Sequence, residues 1–142
     1  MKKWIVTLLL LCSQPVLAEQ FKTIKNVEVH YSAFNSTFLT AEVARQYQLK
    51  RNGYRAVLNI SILDTSKAGK PAVSAKVSGI SKNLIGNRRE LSFKEVKEGS
   101  AIYYLSELPI SDEEVVTFEL DIDAGLAGKG QVKFNQKFYV EE

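Results

Sequence analysis

The feature that most constrains this chain is a two-residue alternation of apolar and polar side chains, repeated in short segments between turn-forming residues. In FKTIKNVEVHYSAF (21–34), Val27, Val29, Tyr31 and Ala33 share one face, while Glu28, His30 and Ser32 share the other. A strand projects successive side chains to opposite sides, so this pattern buries one face and wets the other. In GYRAVLNISILD (53–64), Tyr54, Ala56, Leu58, Ile60 and Ile62 align, and a mixed opposite face suits a more central strand. Further strand patterns follow at 72–80, 89–96, 101–105, 115–122 and 131–140. Glu98-Gly99-Ser100 predicts a hairpin, because glycine supplies the positive φ of a tight turn. Segments 65–71 and 81–87 read as loops, 106–114 as a crossing between layers, and Ala124 to Gly130 as a turn. About seven strands at roughly ten-residue spacing predict an all-β domain, an immunoglobulin-like antiparallel β-sandwich with one short helix after the first strand. The alternative, an open barrel of lipocalin type, needs more strands.

The first eighteen residues follow another logic. Met1-Lys2-Lys3, the apolar run from Trp4 to Leu11 and the exit through Val16 and Ala18 form the pattern of a secretory signal peptide. The sequence therefore predicts cleavage after Ala18, a periplasmic product, and one β-sandwich domain over 19–142. Spanning a bilayer takes about 20 apolar residues, so no stable membrane insertion is expected after cleavage. Leu11 before Cys12 speaks against lipid attachment, which prefers a small residue there. Cleavage removes the one cysteine, the one tryptophan and the one methionine, and with them any disulfide. Lys2 and Lys3 leave too, so the net charge falls from +3 by two, to +1. Such a balance argues for neither nucleic acid nor anionic lipid as a partner of the chain as a whole.

Little chemistry is written in the remaining residues. His30 is the single histidine, and alternation places it on the wet face beside Glu28. Zinc and copper sites recruit several His, Cys, Met or carboxylate ligands, so neither a metal nor another cofactor is expected. Asp121-Ile122-Asp123-Ala124-Gly125 fails as a calcium loop, with glycine one place early and Val132 where the bidentate glutamate belongs. No nucleophile elbow, phosphate loop or dinucleotide fingerprint appears, so the chain is read as a non-enzyme. Lys82, Arg88 and Arg89 flank one loop and Lys67 and Lys70 another, interleaved with Glu90, Glu95 and Glu98, which reads as a solubilising surface.

The segment HYSAFNSTFLTAEVARQY (30–47) breaks the alternation at Asn35-Ser36-Thr37 and then turns helical. Thr40 suits an N-cap, Glu42 suits the positive end of the helix dipole, and Leu39, Val43 and Tyr47 recur at four-residue spacing. Two readings compete. The favoured one makes this helix a cap over an open end of the sandwich. The other makes it one wall of a binding pocket, with Tyr31, Asn35, Phe38 and Tyr47 as candidate binding residues and Phe34 beside them.

Three segments, YSAFNSTFLTAEVARQY (31–47), RAVLNISIL (55–63) and FNQKFY (134–139), resemble a family of small exported proteobacterial proteins, domain of unknown function 4426. The resemblance covers essentially the whole chain. It implies one periplasmic domain in which NSTFLT is a shared feature, and it brings no activity or ligand. The expected function is a non-catalytic binding or protein-interaction module. Its partner would be an envelope protein, paired through an edge strand, with the first and last strands as the edges. A small-ligand pocket at the helix-capped end of the sandwich is the alternative, and an enzyme without a recognisable motif the third reading.

Overall fold

The computed structural model describes residues 20–140; the leader and its cleavage site after Ala18 lie outside the described residues. Within them, nine strands form where the alternation predicts about seven. Two of the expected strands are each divided. The first becomes a hairpin of β1 (Gln20–Ile24) and β2 (Val27–Asn35), turned by Lys25 at a φ of 50°. The fourth becomes β5 (Arg88–Glu90) and β6 (Lys94–Glu98), which lie in different sheets. The others are β3 (Arg55–Asp64), β4 (Lys76–Asn83), β7 (Ala101–Pro109), β8 (Glu114–Asp123) and β9 (Lys129–Phe138). The β6–β7 hairpin turns at Gly99 with a φ of 61°, as expected.

All neighbouring strands are antiparallel, in sheets of order β1-β2-β3-β7-β6 and β5-β4-β8-β9. The chain is thus an all-β sandwich of two antiparallel sheets. Its core is the alternation made solid: Val27, Val29, Leu58, Ile60 and Ile62 from one sheet meet Phe118, Leu120, Ile122 and Val132 from the other. Aliphatic and aromatic side chains of this size each contribute about 1.5–3 kcal/mol on full burial. Tyr54 does not join Ala56 on that face; it precedes β3 and is exposed.

The short helix, α1 (Ala41–Gln46), follows a 3-10 turn at Ser36–Phe38. The Thr40 side chain accepts a hydrogen bond from the Val43 N–H at 3.1 Å, which is the expected N-cap. The helix does not cap the end of the sandwich, however. It lies against the outer face of the five-stranded sheet. There the Lys94 ammonium donates to the Tyr47 carbonyl (2.7 Å), the Tyr47 hydroxyl donates to Glu98, and the Lys50 N–H donates to Glu107 (2.7 Å). Val57, Ala44, Leu49 and Val96 are buried yet stand apart from the main core. The mixed outer face of β3 explains this placement, since Val57 offers the helix an apolar foothold on the side opposite Leu58.

Candidate functional site

Two sheet edges, β1–β2 and β9, run side by side and form a seam. Over its first half the seam is shut. The Ile24 carbonyl and side chain lie against Gly128 and Gly130, and the Asn26 N–H donates to the Ala127 carbonyl at 2.9 Å. The Lys22 ammonium reaches the Gln131 carbonyl (2.9 Å) and that of Lys25 reaches Leu126 (3.0 Å).

Among the described residues, β1 pairs with β2 from Val27 to Tyr31. Beyond Tyr31, no strand among the described residues pairs with Ser32–Asn35 on the side away from β3. Here the seam opens into a cleft of about 700 Å³. Tyr31, Phe34, Phe38, Phe134, Phe138 and Tyr139 supply its aromatic lining, with Gln20 and Gln136 as polar members. The floor is ordered by stacking: Tyr31 on Phe134 (4.3 Å between centroids) and Phe134 on Phe118 (4.9 Å).

The backbone beside this cleft has a defined direction. Ile24 and Val27 flank a two-residue turn, so they form a hydrogen-bonded pair, and alternate residues of β2 point their N–H and C=O groups toward β1. Continued past Tyr31, that rule aims Ala33 and Asn35 into the cleft. The Gln136 side-chain amide accordingly donates to the Ala33 carbonyl at 2.5 Å.

Asn35 closes the upper end of the cleft as a structural knot. Its Nδ2 donates to the carbonyls of Gly53 (3.2 Å) and Tyr139 (3.0 Å). Its Oδ1 accepts from the Thr37 N–H (3.0 Å) and hydroxyl (2.8 Å). Ser36 exchanges two hydrogen bonds with the backbone of Asn52, at 2.7 and 3.0 Å. The break at Asn35-Ser36-Thr37 therefore binds three chain segments together. All four bonds an Asn side chain can make are engaged within the protein.

Of the four residues singled out in the sequence, Tyr31, Asn35 and Phe38 line the cleft. Tyr47 does not; it stands on the outer face beside Lys94 and Val96, because the helix that carries it packs there. Gln136, Phe138 and Tyr139 were not among those candidates. The only sequence sign of them was the FNQKFY segment, which carries no local hint that it faces Tyr31.

His30 is not the solvated residue that alternation predicts. The first hairpin brings Phe21 opposite it, and the two rings stack at 5.0 Å. Its Nε2 lies 2.9 Å from Glu28, whose other oxygen accepts from Lys70 at 2.8 Å. The Lys70 ammonium, and then His30, hold the Glu28 carboxyl below the usual carboxylate range. Asp121 and Asp123 accept from Gln131 and the Gly125 N–H, each at 2.9 Å. Among the described residues, no three His, Cys, Asp or Glu side chains gather as metal ligands, and no helix is long and apolar enough to cross a membrane.

The family model of a domain of unknown function, DUF4426, matches residues 21–141. A DUF4426 family protein of Pseudomonas aeruginosa PAO1 is 34% identical, covers 87% of this chain and 97% of its own, and superposes with a TM-score of 0.76. A copper-bound variant of FetP from uropathogenic Escherichia coli strain F11 is 14% identical, with coverage of 87% and 97% and a TM-score of 0.60. The as-isolated form of FetP, expressed in the periplasm, gives 14% identity, 88% and 96% coverage and the same TM-score of 0.60. These FetP likenesses show the shared fold. Among curated proteins none matches.

Proposed function

Since the chain belongs to the DUF4426 family, which carries no assigned activity, we propose that it is a non-catalytic periplasmic binding module. Its ligand is an extended apolar segment of an envelope protein, taken up in the aromatic cleft as an added strand beside Ser32–Asn35. One observation carries this reading: the side of Ser32–Asn35 that no strand among the described residues covers and the aromatic lining face the same cleft. Strand addition needs both, main-chain hydrogen bonds for affinity and pockets for alternate side chains. The leader pattern supports the compartment, as does the periplasmic expression of FetP.

Copper, which the FetP variant holds, does not fit this chain's own residues. Met1 and Cys12, its sulfur ligands, both precede residue 19, and the Nε2 of its one histidine is engaged by Glu28.

The cleft volume also falls within the small-ligand range of roughly 300–1,000 Å³, which favours a free apolar molecule as the second reading. A photo-reactive residue at position 34 separates the two in living cells. Strand capture predicts one discrete protein adduct that disappears when Ala33 is replaced by Pro, whose ring removes the N–H aimed into the cleft. A small-ligand site predicts no protein adduct and a label recovered on an apolar compound. The absence of both products contradicts both readings.

A further inference from the structure

One residue of the cleft breaks the pattern of its own strand. Along β9, Val132, Phe134, Gln136 and Phe138 share the inward face, and the first three lie opposite Leu120, Phe118 and Val116 of β8. Gln136 is thus the polar member of an otherwise apolar row, and it is half-buried there. An amide in such surroundings costs free energy unless its hydrogen bonds are made. The bond that Gln136 makes crosses the seam: its Nε2 donates to the Ala33 carbonyl at 2.5 Å.

That bond sits where an added strand would bond. The Ala33 carbonyl points away from β3 into the cleft, so it is an acceptor that a strand beside Ser32–Asn35 would use. An incoming N–H must approach the same oxygen from the same side, to about 2.9 Å, where the Gln136 nitrogen already stands. The glutamine side chain ends in an amide, which carries the donor and acceptor that a peptide group carries. Gln136 therefore does for Ala33 what a neighbouring strand would do.

The outer strands of the two sheets show why this stretch needs a guard. Arg88 and Arg89 on β5, Lys94 and Lys97 on β6, and Lys133 and Lys137 on β9 put charge along those edges. Charged side chains on an edge strand discourage pairing with chance partners. Ser32-Ala33-Phe34-Asn35 has no charged residue, and no strand among the described residues covers its outer side. The Asn35 side chain cannot act as the guard, because Gly53, Tyr139 and Thr37 engage it fully. That leaves the amide of Gln136, reaching in from the facing strand.

Building on the strand-capture reading, we propose that Gln136 is the specificity-determining residue of the cleft. It is a latch that holds the strand position in the free protein and yields to a segment that pairs better. Discrimination between partners is a difference of affinities, and a built-in competitor raises the threshold for all of them. A polar extended segment exchanges the Gln136 bond for one of its own and gains little. A segment with β-branched or aromatic side chains makes the same exchange and adds apolar contact with the aromatic lining. The latch therefore narrows the ligand from any extended chain to an apolar one.

The photo-reactive residue at position 34 tests this in living cells. Adduct yield per molecule of protein, below saturation, is compared between the wild-type cleft and Gln136→Met, whose side chain keeps its length and loses the donor. The variant is expected to give about fivefold more adduct, the equilibrium worth of one net hydrogen bond. Asn135→Ser, at the neighbouring outward position, should give the wild-type yield. A merely structural role for Gln136 would leave the yield unchanged or lower it. An equal or lower yield with a folded Gln136→Met protein overturns the latch and leaves strand capture standing, as does an equal gain with Asn135→Ser. No adduct from any of these proteins overturns strand capture, and the latch with it. A second measurement needs neither ligand nor variant. Nuclear magnetic resonance of the free protein should show scalar coupling between the Gln136 side-chain nitrogen and the Ala33 carbonyl carbon, and its absence overturns the latch.

Discussion

The two halves of the seam between the β1–β2 edge and β9 behave differently. In the half next to the first turn, β1 occupies the edge of β2; Gly128, just before β9, leaves room for the Ile24 carbonyl, and Gly130 on β9 for its side chain. In the other half no strand among the described residues covers β2, Phe134 and Phe138 replace the glycines, and the separation becomes an aromatic cleft. The difference teaches that side-chain volume along β9 sets whether the sheets zip or part. The proposed site lies where that edge carries no strand among the described residues.

The comparison breaks most visibly if the closed half is forced open. A Cβ at Gly128 would stand 2.6 Å from the Ile24 carbonyl oxygen. Gly128→Val should therefore destabilise the protein by about 3 kcal/mol, read as the midpoint of urea unfolding. A neutral result would show that the seam is not tight there. Next in size is the knot that ends the open half. Asn35→Ala strands the Gly53 and Tyr139 carbonyls and should cost about 2 kcal/mol, with faster hydrogen exchange over 50–54 as the local sign.

A smaller, pH-confined effect belongs to the closed half. Glu28 has its pKa lowered from 4.5 by Lys70 and His30. Its stabilisation is thus fully present above the unfolded value of 4.5 and is lost as pH falls through the lower folded value. Unfolding midpoints of wild type and Glu28→Gln, measured across that range, should converge in acid and separate toward neutrality. Parallel curves would remove Glu28 from the account. The smallest expected effect is Phe38→Ser, within about 0.5 kcal/mol in stability because the side chain is exposed. It should nonetheless weaken ligand uptake, and an unaltered affinity would exclude Phe38 from the site.

What the sequence revealed follows from which properties are local. Alternation located Val116, Phe118, Leu120 and Ile122 as one buried face, and the Thr40 cap was legible from a single hydroxyl. The first hairpin was invisible because its turn contains no glycine and relies on Lys25 at positive φ. The sheet switch between β5 and β6 was hidden because Leu91 and Phe93 keep the strand pattern going through it. The cleft depends on pairing across more than a hundred residues, as in Gln136 with Ala33, and such register is not carried by either segment alone. Tyr47 was misplaced for the same reason: a four-residue stripe shows that a helix packs, and not upon which face.

The central claim is that β2 receives a strand beside Ser32–Asn35. Amide hydrogen exchange of Ala33 and Asn35, followed while the exported protein is saturated with the peptide captured at position 34, tests it most directly. The account predicts that both amides slow sharply on binding, while those of Val27 and Val29, already paired with β1, do not change. Aromatic shifts in Phe34 and Phe134 with unaltered exchange at Ala33 and Asn35 would contradict it and leave the cleft as a pocket without strand addition.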